Sequence, residues 1–244
     1  MPLEEPNPGL DRVRFELRAD GVPAETVNPL RSGIHDRGYL PHVKREGASY
    51  FVTFRLADSL PQEVVRRFLH EKAQDLRALE VPTRNPPNHA QAGPPRLTAE
   101  DIERKYRRKV ERYLDQGAGA CHLRRPDIAE MARDAILYFH TRQYLLDEWV
   151  IMPNHAHLTL WPMPNFTLSE ILKGRKQFIA KAANRMLGRT GEPFWQTESF
   201  DHWIRDDEEK ARLRQYIRAN PVKAGLCSKP EDWPWSSAWV GAKS

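Results

Sequence analysis

The sequence predicts an α+β protein in which an antiparallel sheet packs helices on one of its faces. Apolar residues alternate along 50–56, 143–152 and 155–161, which is typical of strands. Apolar residues recur at helical spacing in several longer segments. The predicted order is strand, helix, inserted helices, strand, strand, helix, strand, helix, with no internal repeat, and this order favours the α+β class.

The composition indicates a globular chain with a basic surface. The 244 residues are 40% hydrophobic, enough for one ample core or a core domain with an insertion. No stretch approaches the roughly 18 apolar residues of a membrane span, and no apolar run suggests a signal peptide, so we expect a cytoplasmic protein. Cys121 and Cys227 lack metal-site spacing and suggest no disulfide framework. The net charge of +5 agrees with a polyanionic partner without requiring one.

The N-terminal half is predicted to hold a loosely ordered segment, 1–40, before the first strand of a domain spanning 41–226. Pro61 opens a helix that runs to about Leu79. Pro, Asn and Gly then predict a linker, where a helical insertion at about 82–125 begins. Thr98 and Asp101 have the spacing of a capping box for a helix to about Leu114. The many basic residues of this helix indicate a solvated face, with a second phosphate-contacting surface as the less favoured interpretation.

The C-terminal half is predicted to hold three further helices. Pro126 starts the first, and 167–187 forms a basic helix. A strand at 199–205 precedes a helix at 206–219 that Pro221 ends. The aromatic tail, 227–244, is expected to pack on the domain. The core side of the basic helix is predicted to comprise Leu168, Ile171, Leu172, Phe178, Ile179, Ala182 and Met186.

Two histidines one residue apart, His155 and His157, begin the strand at 155–161. Residues i and i+2 of a strand point to the same face, so the two imidazoles project side by side while Ala156 and Leu158 point into a core. Two imidazoles on one face can hold a divalent metal. The plainer interpretation is two polar residues on a solvated strand face.

Tyr216 and Asn220 are four residues apart in the last predicted helix and therefore share one of its faces. An amide oxygen is a hard ligand that suits Mg²⁺ or Mn²⁺. The structural alternatives are a partly buried tyrosine with a hydrogen bond and an asparagine that ends the helix before Pro221. The residue before a proline disfavours the helical backbone conformation for steric reasons. Asn220 could therefore lie at the frayed end of the helix, and the direction of its side chain stays open.

These residues resemble the histidine–hydrophobic–histidine (HUH) motif and the tyrosine of the single-tyrosine HUH transposases, and within them the REP-associated tyrosine transposases. The resemblance covers roughly 38–237, apart from the insertion. It is carried, in order, by 38–42 (GYLPH), 50–56 (YFVTFRL), 152–157 (MPNHAH), 195–196 (WQ), 199–202 (SFDH), 204–205 (IR), 216–217 (YI), 220–226 (NPVKAGL) and 233–237 (WPWSS).

The resemblance implies a ferredoxin- or RRM-like HUH palm and a role for each matching residue. Tyr216 would be the nucleophile, His155 and His157 two ligands of Mg²⁺ or Mn²⁺, and Asn220 would stand at the position of the third. The implied reaction cuts and rejoins single-stranded DNA through a 5′-phosphotyrosine. The implied substrate is a repeated palindromic hairpin, and the implied setting is a bacterial, nucleoid-associated monomer or homodimer without membrane contact.

Basic and aromatic side chains are predicted to contact the DNA, because cations neutralise phosphates and aromatic faces stack unpaired bases. The predicted contacts are Lys173, Arg175, Lys176, Lys181, Arg185, Trp195 and Arg205. One alternative is a domesticated relative that binds hairpins without cutting. Another is a zinc hydrolase using the two histidines, which is disfavoured because no glutamate adjoins the pair and no third His or Cys lies nearby.

Overall fold

The computed structural model describes residues 33–36, 41–44, 47–80, 97–197 and 199–241. Strand β1, Gly33–Asp36, pairs antiparallel with β2, Pro41–Lys44, as a separate two-stranded sheet. Apart from β1, the predicted N-terminal segment 1–40 lies outside the described residues, as does most of the predicted linker before Thr98.

The main sheet has four antiparallel strands, which confirms the predicted sheet. They are β3 (Tyr50–Arg55), β4 (Tyr144–Ile151), β5 (His155–Pro162) and β6 (Phe200–Trp203). Their spatial order is β4-β5-β3-β6. A short turn joins β4 to β5, closed by the bond from the Met152 amide to the His155 carbonyl (2.8 Å). The register places His157 between Thr53 of β3 and Val150 of β4.

Five α-helices accompany the sheet in the described part of the chain: α1 (Gln62–Glu80), α2 (Ala99–Asp115), α3 (Pro126–Leu137), α4 (Leu168–Met186) and α5 (Asp207–Lys223). Capping boxes begin α2 at Thr98 and α4 at Thr167, where the threonine hydroxyl and the acid three residues later bond each other's backbone. The predicted start of α2 is therefore confirmed.

The α+β class is confirmed, but the helices lie on both faces of the sheet rather than on one. Tyr50, Val52 and Phe54 of β3 face α3 and α4, whereas Phe51 of the same strand faces Ile217 of α5. The reason is that the second face of the sheet also carries apolar side chains, Phe51 of β3 and Val150 of β4, beside the polar Thr53. The alternation that predicts one buried face does not exclude a second one.

Helices α1 and α2 pack together through ion pairs that occupy part of the basic face of α2. Lys105 reaches Asp75 (2.7 Å) and Lys109 reaches Glu71 (2.5 Å). Two of the lysines that could have formed the alternative phosphate-contacting surface are therefore paired with acidic residues of α1. Such exposed pairs contribute little stability individually.

Helix α5 continues through Pro221 to Lys223, whereas the sequence predicted its end at 219. A proline removes one backbone donor, but the bonds that follow persist: the Ala224 amide donates to the Asn220 carbonyl (3.0 Å) and the Leu226 amide to the Pro221 carbonyl (2.9 Å). Asn220 is therefore a helical residue, and the face that it shares with Tyr216 is real. In α4 the predicted core side is wrong at Phe178 and Met186, which are exposed.

The C-terminal segment packs along β4, the edge strand of the main sheet. The Ile151 amide donates to the Trp235 carbonyl (2.8 Å), and the Ser237 amide donates to the Trp149 carbonyl (2.9 Å). These bonds satisfy backbone groups that an exposed edge would leave open.

Candidate active site

The two histidines lie on the sheet face covered by α5 and are almost completely buried. Each is 1% exposed, and their ring centroids are 4.7 Å apart. Ala156 and Leu158 belong to the core on the opposite face, as the strand period predicts. The interpretation as a solvated strand face is therefore wrong.

His155 has one ring nitrogen bonded and one without a partner. Its Nδ1 lies 2.7 Å from Oδ1 of Asn154, whereas Nε2 is buried and has no hydrogen-bond partner among the described residues. Burial, helped by the positive charge of Arg55, lowers the pKa of His155 to about 3. The imidazole is therefore neutral at physiological pH, which is the form that binds metals.

His157 is bonded at both nitrogens. The hydroxyl of Thr53 lies 2.7 Å from Nδ1, and the hydroxyl of Tyr216 lies 3.3 Å from Nε2. The imidazole stacks on Phe51, with ring centroids 5.4 Å apart. Burial, and next the neighbouring His155, lower the pKa of His157 well below its ordinary value.

Tyr216 is held by α5 against the histidines. Its ring meets Phe51 edge to face at 6.0 Å, and the Lys223 ammonium lies 5.1 Å from its ring centroid. Burial raises the pKa of the hydroxyl far above its ordinary value, and the negative charges of Glu111 and Asp115 raise it further. The phenol is therefore protonated in this state of the protein.

Asn220 lies one helical turn beyond Tyr216 and is fully buried. It is 0% exposed, and neither atom of its amide makes a hydrogen bond of normal geometry among the described residues, although the amide lies near enough to the Tyr216 hydroxyl to oppose the rise of its pKa. Burying an amide without partners costs roughly 1–3 kcal/mol on protein scales. A buried amide and the bare Nε2 of His155 are the kind of donors that a bound cation would satisfy.

The residues present fit a divalent metal of the Mg²⁺ or Mn²⁺ type. Two neutral imidazoles and an amide oxygen supply nitrogen and hard oxygen donors. Within the described residues, no group of three His, Cys, Asp or Glu side chains is placed to hold a metal. A third protein ligand for such an ion would be of another side-chain type, such as the amide of Asn220.

Two carboxylates of α2 next to the site were missed by the sequence analysis. Burial raises the pKa of Glu111 to about 7, against the opposing charge of Arg107, and burial also raises the pKa of Asp115. One carboxylate oxygen of Asp115 is buried without a partner among the described residues. Their spacing of four residues, in a helix otherwise rich in basic residues, could have indicated that the two acids share one face of α2.

Two curated proteins are similar in sequence to part of this chain. The chain is 29% identical over 109 residues to the REP-associated tyrosine transposase of Escherichia coli (strain K12), a match that covers 44% of this chain and 63% of that protein. A Haemophilus influenzae protein named "Putative REP-associated tyrosine transposase" is 33% identical over 98 residues, and the match covers 36% of this chain and 54% of that protein. Over part of its length, this chain is similar to two proteins named as REP-associated tyrosine transposases. The matches span less than two thirds of either relative's length.

The chain was also compared with protein-family models and with solved structures. No family model matches the chain. A solved structure described as a REP-associated tyrosine transposase bound to a REP hairpin is 18% identical, with a TM-score of 0.43, and covers 86% of this chain and 92% of its own. In the described residues, every helix is too short or too polar to cross a membrane.

The basic helix whose charge predicts contact with DNA lies on the other layer of the molecule. Helix α4 packs on the sheet face opposite to the histidines, so the structure does not bring its cations together with Tyr216. Lys173, Lys181 and Arg185 are exposed there. Arg205 is exposed just beyond the end of β6.

Three other side chains predicted to contact DNA are engaged within the protein. The Arg175 guanidinium lies 3.9 Å from the centroid of the Phe139 ring. The Lys176 ammonium donates to the carbonyls of Gln196 (2.7 Å) and Thr197 (3.1 Å). Trp195 is 8% exposed and belongs to the core. Their part in DNA binding stays a prediction.

Proposed function

We propose that the chain is a metal-dependent enzyme that nicks and joins single-stranded DNA, a tyrosine transposase acting on repeated palindromic hairpins. The observation that carries this proposal is the 3.3 Å contact between the hydroxyl of Tyr216 and Nε2 of His157. A potential nucleophile thus lies against a pair of buried, neutral imidazoles. The names of the curated relatives point to the same activity.

His155, His157 and Asn220 would hold Mg²⁺ or Mn²⁺. When bound, such an ion neutralises charge on the non-bridging oxygens of a phosphodiester and fixes the group for in-line displacement. The bare Nε2 of His155 and the unpartnered amide of Asn220 support this assignment.

Tyr216 would supply the nucleophilic oxygen. Its attack on phosphorus forms a bond from the tyrosine oxygen to phosphorus and breaks the bond to the 3′ oxygen. The products are a 5′-phosphotyrosine and a strand that takes up a proton to end in a free 3′-OH. Because burial raises the pKa of Tyr216, the phenol is protonated before the reaction and has to give up its proton on attack. Attack by a 3′-OH on the phosphotyrosine reverses the step and rejoins strands.

The DNA partner would be held outside the buried site. The exposed cations of α4, Lys173, Lys181 and Arg185, can neutralise phosphates of a hairpin. Because they lie on the opposite layer from Tyr216, a hairpin stem and the strand to be cut would occupy different faces of the protein. Either a monomer or a homodimer would fit this division.

The test is a cleavage assay on labelled hairpin DNA from the repeats of the source genome, with a single-stranded flank. We expect a covalent protein–DNA adduct with Mg²⁺ or Mn²⁺, no adduct with EDTA, and none with Tyr216→Phe. Tyr138→Phe is the matched control, because Tyr138 is 61% exposed and distant from the histidines.

The outcomes separate the candidate functions. Hairpin binding without an adduct in either metal would favour a binding protein without cleavage activity. Cleavage that survives Tyr216→Phe would favour a hydrolase that activates water.

A further inference from the structure

Asn154, in the turn between β4 and β5, is a buried polar residue to which the proposed reaction assigns no role. Its side chain is 0% exposed. It immediately precedes His155, and its amide is bonded on both sides. Backbone carbonyls lie on one side of the amide and the His155 imidazole lies on the other. This arrangement determines which ring nitrogen of His155 carries the proton.

The nitrogen side of the amide faces two backbone carbonyls. Nδ2 of Asn154 donates to the carbonyl of Leu114 at 3.1 Å and to that of Ala118 at 2.9 Å. A carbonyl oxygen can only accept a hydrogen bond, so the NH₂ group has to face this way. A flipped amide would set its oxygen against both carbonyls.

The oxygen side of the amide therefore faces His155. An amide oxygen also can only accept, and it lies 2.7 Å from Nδ1 of the imidazole. Nδ1 has to carry the proton in this bond. In a neutral imidazole the other nitrogen then presents a lone pair. That nitrogen, Nε2, is the buried atom without a partner among the described residues.

We propose that Asn154 is a positioning residue that holds His155 in the Nδ1-protonated tautomer and so presents Nε2 as the metal-ligating atom. The metal part of this inference rests on the proposed function. Partners of this kind fix the tautomer and the ring orientation of metal-binding histidines in general.

The carbonyls that orient Asn154 are themselves fixed. They lie at the end of α2 and in the turn that follows, so the helical insertion reaches the histidine through Asn154. The Ala120 amide in this turn donates to the Asp58 carboxylate at 2.7 Å. Gly119 has a φ of +86°, and a Cβ there would lie 2.8 Å from the Asp58 carbonyl oxygen. Only glycine fits so close an approach.

The first test reads the tautomer directly in metal-free wild-type protein. Long-range ¹H–¹⁵N correlation spectra of the histidine rings distinguish a protonated Nδ1 from a protonated Nε2, and His155→Gln assigns the signal. We expect His155 to be protonated at Nδ1 and bare at Nε2. A protonated Nε2 would overturn the proposal, and this result does not require an active enzyme.

The second test compares Mn²⁺ binding by Asn154→Ala and Asn184→Ala. Asn184 is a matched control because it is also buried, at 5% exposed, and donates to a backbone carbonyl, that of Glu192. It lies on α4, away from the histidines. We expect Asn154→Ala to weaken Mn²⁺ binding about 10- to 100-fold and Asn184→Ala to leave it unchanged.

An equal loss of Mn²⁺ affinity in both variants would assign Asn154 a purely structural role and overturn the proposal. The tests also separate this inference from the proposed function. Wild-type protein that binds Mn²⁺ without cutting DNA would contradict the activity alone. Wild-type protein that binds no Mn²⁺ would overturn the metal part of the inference, while the tautomer would still decide whether Asn154 orients His155.

Discussion

The hydroxyl of Tyr216 on α5 lies 3.3 Å from Nε2 of His157 on β5. The contact exists because α5 covers the sheet face that carries the histidines. One turn further along the same helix, Asn220 is buried with both amide atoms unpartnered among the described residues. A single helix face thus supplies the proposed nucleophile and the proposed third ligand.

Substitution of Asn220 is predicted to change metal affinity in a direction set by the new side chain. Asn220→Ala removes a donor and should weaken Mn²⁺ binding by more than the roughly 10-fold that loss of an outer partner costs. Asn220→Asp replaces a neutral oxygen with a charged one and should tighten it. Titration calorimetry checks both. Without metal, Asn220→Ala should cost less stability than truncation of a buried apolar side chain, because removal of an unsatisfied amide offsets part of the cavity that the substitution leaves. Wild-type affinity in Asn220→Ala would exclude Asn220 as a ligand.

Acid is predicted to destabilise the protein through His155. The pKa of this histidine is lowered to about 3 from an ordinary 6.5. The unfolded chain therefore binds the proton first, and stability is lost as pH falls from 6.5 towards 3, by up to about 1.4 kcal/mol per pH unit. In His155→Gln, the free energy of unfolding measured in urea should fall less steeply between pH 6.5 and 4.5 than in the wild-type protein. The control is His70→Gln, at an exposed position of α1. An unchanged slope in His155→Gln would contradict the prediction.

Glu111 is predicted to destabilise the protein in its charged form. Burial raises its pKa to about 7 from an ordinary 4.5, so the folded state holds the proton more tightly than the unfolded state. Stability is therefore lost as pH rises from 4.5 to 7. Glu111→Gln should have a higher melting temperature than wild type at pH 8 and the same one at pH 4. Glu103→Gln, on the exposed side of the same helix, is the control. A difference that does not depend on pH would contradict this assignment.

Removal of the chain after Leu226 is predicted to destabilise the sheet. The indole of Trp233 donates to the Ile151 carbonyl (2.9 Å), and the Ser237 hydroxyl donates to the buried carboxylate of Glu148 (2.5 Å). Losing these bonds and the apolar contacts should cost at least a few kcal/mol in the free energy of unfolding. Urea unfolding measures this loss, and Ser237→Ala should show a smaller part of it. A truncated chain as stable as wild type would show that the tail adds nothing to the fold.

The sequence predicts correctly those features that depend only on residues close together in the chain. The strand period placed His155 and His157 on one face, and the helical period paired Tyr216 with Asn220. The capping box at Thr98 marked a helix start correctly. Each of these depends on residues a few positions apart, and local geometry alone decides it.

Features that depend on distant partners were not predicted. The end of α5 was placed too early, because packing of Ile217 against the sheet outweighs the bond that Pro221 removes. Phe178 follows the apolar period of α4 yet is exposed. The apolar period shows which residues share one side of a helix. It does not show how far along the helix the packed sheet extends.

The sequence by itself determined the antiparallel α+β class, the side-by-side histidines and the tyrosine–asparagine face, because backbone geometry repeats every two residues in a strand and every 3.6 in a helix. Only the tertiary structure decided that α5 brings Tyr216 to His157, and that Asn154 is anchored by carbonyls 36 and 40 residues away. These contacts arise when layers pack, and burial then makes them strong by excluding the water that would otherwise compete.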